Sequence, residues 1–396
     1  MKNNAIKVVF KKEMIEIFRD KKTIIIGILI PLFLFPLISF ILGKTINNSD
    51  KKIQQEVKIT IQDKGNSKLS EYIKKQTNIN IVNVDNPEES LKKGDIYLYL
   101  NIPEKFDANI QKNNDISIDI IFDNSSRDSL AALSIIQTYI DMYSKGVVSE
   151  RLNNNGIDSQ ILKAFETKIK TIEDESEGDA RLILSMILPL LLILYSITGT
   201  MPPAMDLGAG EKERGTLEPL LTTKVNRMSL LWGKFFAITV VGIMMSIAAI
   251  VGIELTMVQQ NGILKMSNGG TVKLLPIAIL FIIIVPILNN MIFGALGLAL
   301  SIYARSFKEA QTYLSPLSVI GLIGCYSTMM IDPKNIKTIY FNIPIANSVC
   351  LLKEMIVGVI NYHHILITFG WTAIYILVSL YWAKYMFSKE SVIFRT

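Results

Sequence analysis

The segment that decides the fold covers residues 182–227, which read LILSMILPLLLILYSITGTMPPAM followed by DLGAGEKERGTLEPLLTTKVNR. The first part contains no charged side chain and is long enough to cross a bilayer, which takes about 20 apolar residues in a helix. The second part is dense in charge, so it must lie in water or at the membrane surface. The segment therefore predicts a membrane-spanning helix followed by a charged loop outside the hydrocarbon core of the bilayer.

The remainder of the 396 residues repeats this contrast. Half of the residues are hydrophobic and only 19% are charged, whereas ordinary globular chains carry about 25% charged residues. The pattern predicts an α-helical polytopic membrane protein with six transmembrane helices and an extracytoplasmic α+β domain between helices 1 and 2. The six predicted spans are 23–42, 182–205, 235–253, 274–303, 313–330 and 365–387.

Composition also excludes several classes of protein. Two cysteines in apolar stretches cannot form a secreted disulfide scaffold. Two histidines, which are adjacent, make a metalloenzyme improbable, and we predict neither a metal site nor catalytic residues. The net charge of +6 does not require nucleic acid as a partner, because Lys and Arg collect on the cytoplasmic side of membrane proteins. Their distribution along this chain predicts a multi-pass protein of the cell membrane with both termini in the cytoplasm, and the Lys, Ile and Asn content suggests a bacterial source.

The predicted organisation follows from these spans. Residues 1–22 form a basic amphipathic helix at the cytoplasmic interface, 23–43 the first span, and 44–181 the extracytoplasmic domain with helical stalks. Residues 182–387 hold helices 2–6, including a coupling loop at 206–230 and a re-entrant segment at 344–360, which is short and carries Lys353 and Glu354. Residues 388–396 form a cytoplasmic tail.

The long hydrophilic insertion is predicted to be folded. Alternating apolar residues predict strands at 57–61, 79–84, 96–100 and 116–121. The period then changes, and helices are predicted at 129–148 and 159–172. This combination indicates a small α+β domain.

The loop after the second span has the local signals of a short helix. Gly215 can end a preceding turn, Thr216 is a good N-cap, and Glu218 and Pro219 suit a first helical turn. Asn226 can cap the next helix. Such a rigid charged helix could dock a cytoplasmic partner, or it could be a solvated connector.

Here the sequence resembles a known family. The pattern Glu211-x-x-Arg214-Gly215-Thr216-Leu217-Glu218, followed by Asn226-Arg227 and Gly233-Lys234, is similar to the hallmark of ABC transporter type-2 permeases. Residues 12–20, 94–106, 304–311 and 343–347 also resemble family segments, so the likeness covers essentially the whole chain. Within the family, the layout is similar to that of sodium-extrusion permeases.

The resemblance implies a partner that hydrolyses ATP. Such permeases work as dimers, each half joined to a cytoplasmic ABC ATPase that binds ATP and Mg. This chain lacks a phosphate loop, because Ile38 stands where the motif ending at Thr45 would need its first glycine. The residues implied to couple to the ATPase are Glu211, Arg214, Gly215, Thr216, Leu217 and Glu218, with Arg305, Lys308 and Glu309 in a second cytoplasmic loop.

The cargo is less constrained. Polar groups inside spans mark transport paths, and the candidates are Asn289, Asn290 and Glu254. The resemblance favours sodium export, and the sparse polarity also suits a lipophilic drug, an antimicrobial peptide or a lipid. A membrane-anchored sensor or binding protein remains an alternative, although it would not need the loop at 206–230. A secondary transporter would be expected to contain internal repeats, and none is recognisable.

Overall fold

The computed structural model describes residues 2–112, 114–162, 175–222, 225–259, 273–389 and 392. The chain divides into two compact units, one made of Met1–Gly43 and Ile172–Thr396 and the other of Lys44–Thr171. In chain order the elements are α1 Lys2–Arg19, α2 Lys21–Gln55, β1 Val57–Asp63, α3 Lys68–Lys74, β2 Ile79–Ile81, α4 Pro87–Lys93, β3 Leu98–Ile102, α5 Phe106–Gln111, β4 Asp119–Phe122, α6 Arg127–Asn154, α7 Glu175–Met205, α8 Glu211–Glu213, α9 Leu217–Thr222, α10 Arg227–Val258, α11 Pro276–Tyr303, α12 Phe307–Met329, α13 Ala346–Ile356 and α14 Tyr362–Ser388.

Five helices of the described chain are long and apolar enough to cross a membrane. The candidate spans are Ile24–Ile41, Ala180–Glu213, Arg227–Val258, Pro276–Tyr303 and Tyr362–Ser388. The sixth predicted span, 313–330, does form a helix, α12, but this helix falls outside the set because serine, threonine and proline dilute its apolar residues. The chain is thus a multi-pass helical protein with five clear candidate spans.

The helices of the unit made of Met1–Gly43 and Ile172–Thr396 bury two main apolar clusters. In one, α7 and α11 pack with α13, around residues such as Leu192, Val285 and Leu351. In the other, α1 and α11 both contribute to a cluster with α10, around Leu231, Phe235 and Leu298. Because these side chains recur every three or four residues, one face of each helix can be covered by its neighbours.

The helix α13 lies within the predicted re-entrant segment. All of its residues are buried, yet at 11 residues and about 1.5 Å per residue it is too short to cross a bilayer. Ser348, at its beginning, accepts a hydrogen bond from Asn289 in the middle of α11 (3.2 Å). The start of α13 therefore lies beside the middle of a candidate span.

The unit Lys44–Thr171 contains a four-stranded sheet in the order β2-β1-β3-β4. Strand β1 pairs in parallel with β2 and β3, with Val57 opposite Ile79 and Ile59 opposite Leu98, while β4 is antiparallel to β3. All four predicted strands exist, with shifted ends. The strand predicted at 96–100 begins at Leu98, because the ladder with β1 starts there.

Helix α6 is longer than the prediction of 129–148. It begins after Ser126, whose hydroxyl oxygen accepts a hydrogen bond from the Ser129 backbone N–H. Ala132 and Ile136 of α6 are buried in the core of this unit with Leu98 and Leu100. Most of the helix predicted at 159–172 falls outside the described residues, which show a 3-10 turn at Ser159–Leu162.

Candidate functional site

The segment that follows α7 begins with a π-helical turn, Asp206–Gly210. Such wide turns are rare and concentrate at functional sites. The turn packs against α11: the Ala209 backbone N–H donates to Ser301 Oγ (2.9 Å), and a Cβ on Gly208 would clash with the same oxygen. Only glycine allows this approach, so the turn is fixed to α11.

A charge cluster with a buried centre lies beside this turn and is formed by three helices. Its members are Lys12, Glu13 and Glu16 of α1, Glu211 of α8 and Lys234 of α10. Glu211 bridges both lysines, at 2.6 Å from the Nζ of Lys12 and 2.6 Å from that of Lys234. Glu13 lies 3.1 Å from Lys234, and the side chains of Glu13 and Lys234 are fully buried. Lys234 also donates to the carbonyl of Leu207 in the π turn (3.0 Å).

The cluster ties α1 to the candidate spans. Burial raises the pKa of Glu13, against the attraction of Lys234. Burial also disfavours the charge on Lys12, but hydrogen bonds to Glu211 and Glu16 outweigh this effect and raise the pKa of Lys12. A charge removed from water needs such partners, so the position of α1 depends on the complete set.

The same segment holds the junction between α11 and α12. The Lys212 ammonium donates to the carbonyls of Ile302 (2.9 Å), Ala304 (3.2 Å) and Val392 (2.8 Å), and so satisfies carbonyls at the end of α11. The Glu213 carboxylate accepts the Phe307 N–H at the start of α12 (2.7 Å). Movement of residues 206–216 must therefore move α1, α10, α11 and α12 as well.

The predicted coupling residues divide into buried and exposed groups. Glu211 and Leu217 are buried, whereas Arg214 is 46% exposed and pairs with Asp206 (2.7 Å). Gly215 has φ +67°, the turn-ending conformation expected for it.

The predicted capping role of Thr216 is not seen among the described contacts. Its hydroxyl donates backwards, to the Glu211 carbonyl (3.1 Å), because the Gly215 turn brings that carbonyl within reach. Glu218 lies in α9, and its side chain is outside the described part of the chain. The predicted cap at Asn226 is confirmed, since its Oδ1 accepts the Met228 N–H (3.0 Å).

The second predicted cytoplasmic loop, at 304–311, leads into α12, which begins at Phe307. The Ser306 hydroxyl accepts the Glu309 N–H (3.2 Å), and the Glu309 carboxylate accepts the Arg305 N–H (2.7 Å). This arrangement resembles a capping box, so Glu309 stabilises the helix start. The side chains of Arg305 and Lys308 are exposed.

The three predicted cargo-path residues do not come together. Asn289 lines a cavity among α11, α12, α14 and the start of α13. Asn290, the next residue on α11, faces α10 and donates to Ser246 Oγ (3.1 Å). Glu254 is exposed on α10.

One group of carboxylates has the spacing of a metal site. Oxygens of Glu13, Glu16 and Glu211 lie within 4.8 Å of one another. Two lysines already supply positive charge there, since both ammonium groups contact Glu211 at 2.6 Å. A divalent ion would have to displace them, so the geometry favours a structural ion cluster.

A second buried polar group, at α13, was missed by sequence reasoning. Lys353 donates to the carbonyls of Thr328, Met329 and Ile331, which lie at and beyond the end of α12 (2.7–2.9 Å). Glu354 contacts His364 Nδ1 (2.8 Å). The signal in the sequence was a Lys-Glu pair inside an apolar stretch, but the partners lie on other elements.

The comparisons with known proteins cover nearly the whole chain. The model of a family described as "ABC-2 family transporter protein" matches residues 21–383. The ABC transporter permease protein NatB of Bacillus subtilis is 30% identical over 383 residues, which are 96% of this chain and 97% of that protein. No solved structure matches significantly.

Proposed function

Because this chain belongs to the ABC-2 family of transporter proteins, we propose that it is the permease subunit of an ATP-driven exporter. A separate cytoplasmic ABC ATPase binds ATP and Mg and hydrolyses ATP. A second permease copy completes the pathway, both termini lie in the cytoplasm, the unit Lys44–Thr171 lies outside, and α12 serves as a sixth span. This chain performs no covalent chemistry.

One observation carries the proposal. The exposed turn before α9 directly follows residues 211–213, whose side chains contact α1, α10, α11 and α12. Arg214, Gly215 and Thr216 are exposed and lead into α9. The base behind them is held by Glu211 in the charge cluster and by Lys212 at the α11 end. A solvated connector would not need this many buried anchors.

The mechanism follows from that mounting. When the ATPase subunits close, they push on α9 and the exposed Arg214. Since Glu211 is buried, it acts as an internal anchor, and contact with the ATPase falls to Arg214 and to the following residues. The movement is transmitted to α10 through the contact between Glu211 and Lys234, and to α12 through the hydrogen bond between Glu213 and the Phe307 N–H. As a result, the cytoplasmic ends of the spans separate.

Sodium is the cargo that we propose, on the resemblance to sodium-extrusion permeases. Within the described spans, Asn289 and Asn290 are buried oxygen-bearing side chains, and oxygens are the ligands that sodium prefers. Glu254 is exposed and belongs at the membrane surface. Lipophilic drugs, antimicrobial peptides and lipids are the alternative cargo.

The test uses proteoliposomes that contain this chain and its cognate ATPase. We expect the permease to stimulate ATP hydrolysis and ATP to drive radioactive sodium away from the ATPase side. Arg214→Glu should abolish both effects, because it reverses the exposed charge and places it beside Asp206. Lys337→Glu, the same reversal at an exposed residue in another loop, should change neither.

The outcomes separate the parts of the proposal. ATP hydrolysis that is indifferent to the permease, or to Arg214→Glu, would refute the coupling. Hydrolysis that depends on the permease without sodium movement would keep the exporter and remove sodium as its cargo.

A further inference from the structure

One face of α1 is exposed and combines apolar with basic side chains. Its members are Val8, Ile15, Phe18, Lys7, Lys11 and Arg19. The three apolar side chains are 43–68% exposed. Five of the six members, together with Phe10 and Met14, line an open groove of about 620 Å³. An exposed apolar groove with polar neighbours is typical of a membrane or protein interaction site.

The charge on this exposed face of α1 has one sign. The carboxylates of α1 are Glu13 and Glu16, and both bind other cations. Glu13 lies 3.1 Å from Lys234, and Glu16 lies 2.9 Å from Lys12. The three cations of the exposed face have no ion-pair partner among the described residues. They extend over about 18 Å along the helix, so the complementary partner is a row of anions.

The contacts of α1 place it at the ends of two candidate spans. The helix ends at Arg19, and the candidate span Ile24–Ile41 begins within the next turn and a half. On its covered side, Val9 packs so closely on Gly233 that a Cβ there would clash with it. Gly233 lies near the beginning of the candidate span Arg227–Val258. The ends of spans lie at the level of the lipid headgroups, where basic residues meet the negative potential of anionic lipids.

We propose that the exposed face of α1 is a docking surface for anionic phospholipids. Their phosphate groups bind Lys7, Lys11 and Arg19, whose long side chains reach the headgroups. Their acyl chains cover Ile15 and Phe18 in the groove, as expected for an amphipathic helix that lies in the interface. A lipid supplies an anion and an apolar chain together, which matches both properties of this face.

Docking on this face also stabilises residues 206–216, which contact the covered side of α1. Lys12 lies 2.6 Å from Glu211, and Glu13 lies 3.1 Å from Lys234. A lipid layer that holds α1 therefore holds these contacts and restrains residues 206–216. The significance of this second step rests on the proposed function, because that segment is the one proposed to couple to the ATPase. The binding of lipid does not rest on it.

The experiment uses the full chain in phosphatidylcholine nanodiscs without ATP or the ATPase. Trace phosphatidylglycerol or phosphatidylcholine, each with the same diazirine-bearing acyl chain, labels the protein, and mass spectrometry identifies the labelled peptides. We expect phosphatidylglycerol to label residues 2–19 at least about fivefold more than phosphatidylcholine, since one basic residue at an anionic surface allows that factor. About 1 M salt should reduce the preference, because it screens exposed charges beyond about 3 Å.

Two variants of equal charge test the assignment. The first neutralises the three cations of the exposed face, by Lys7→Gln, Lys11→Gln and Arg19→Gln. It should make the two lipids label α1 equally. The matched control neutralises three exposed lysines in other segments, by Lys273→Gln, Lys334→Gln and Lys337→Gln. It should leave the preference unchanged.

Amide exchange tests the second step in the same chain. Replacing part of the phosphatidylcholine with phosphatidylglycerol should slow exchange at residues 206–216 by up to about fivefold, the effect of one such contact. The variant with three neutral residues in α1 should lose this difference, and the control variant should keep it.

The docking surface is overturned if phosphatidylcholine labels α1 as strongly as phosphatidylglycerol in the native chain, or if the neutralised variant keeps the preference. It is also overturned if α1 is protected from both lipids, as it would be under a second copy of the chain. Unchanged exchange at residues 206–216 while lipid is bound overturns the second step. Since no readout involves the ATPase or a cargo, these failures are distinct from a failure of the proposed coupling.

Discussion

Replacing Lys234 with methionine keeps the length of the side chain and removes its charge from the centre of the cluster. The Lys234 ammonium lies 2.6 Å from Glu211, 3.1 Å from Glu13 and 3.0 Å from the Leu207 carbonyl, and it is fully buried. Without it, the cation that remains beside Glu13 among the described residues is the Lys12 ammonium, at 3.2 Å. The variant therefore leaves buried carboxylate charge that is only partly compensated.

The magnitude follows from burial. Removing one partner of a buried ion pair costs about 3–5 kcal/mol. At about 2–4 °C per kcal/mol for a chain unit of this size, the melting temperature should fall by roughly 6–20 °C. Lys12→Met removes a lysine from the same cluster, but Lys12 is 42% exposed. Water can replace much of that interaction, so the expected cost is about 1 kcal/mol.

The assay is thermal unfolding of the purified chain in detergent, followed by intrinsic fluorescence and size-exclusion chromatography. A Glu13→Gln change added to Lys234→Met should recover part of the loss, with a coupling free energy of about 0.5–3 kcal/mol. Equal effects of Lys234→Met and Lys12→Met, or no effect of either, would refute the argument that burial makes this cluster important.

Three further changes probe other parts of the chain. Gly215→Ala forces a side chain into φ +67°; it should cost about 1 kcal/mol and reduce ATPase stimulation in proteoliposomes, and full stimulation would contradict the role of the turn. Ser306→Ala removes the N-cap of α12 and should cost about 1 kcal/mol, seen as faster amide exchange at 307–310, with Ser327→Ala as a control. Ile59→Ala truncates a fully buried side chain in the central strand β1 and should cost about 2–5 kcal/mol. Amide exchange in the full chain should then rise across the sheet but not in α11, and a rise in both would contradict the separation into two units.

Much of the fold could be predicted because its signals are local. Five of the six predicted spans correspond to helices that are long and apolar enough to cross a membrane, and the remaining one, diluted by polar residues, is helical but does not stand out as a span. The N-cap at Asn226 and the turn at Gly215 could be predicted, because each depends on neighbours within a few residues. The ends of the strands were less accurate, since they are set by partner strands.

The candidate site was predicted only in part. The sequence placed Glu211 among the contacts with a partner, but the structure buries it against Lys12, 199 residues away along the chain. The π-helical turn at Asp206–Gly210 was not predicted from the sequence, although Pro202 and Pro203 lie just before it in α7. The hydrogen bond between Asn289 and Ser348 could not be predicted, because α13 had to be placed against α11 first.

The sequence by itself determined that this chain crosses a membrane several times, that an α+β unit follows the first span, and that a charged loop follows the second. These properties depend on hydrophobicity and periodicity, which add up along consecutive residues. Only the tertiary structure decided that two lysines and three glutamates form one cluster and that Asn347 Nδ2 has no hydrogen-bond partner among the described residues. A charge or an amide becomes a site when it loses water and gains or lacks a partner, and both depend on packing between distant helices.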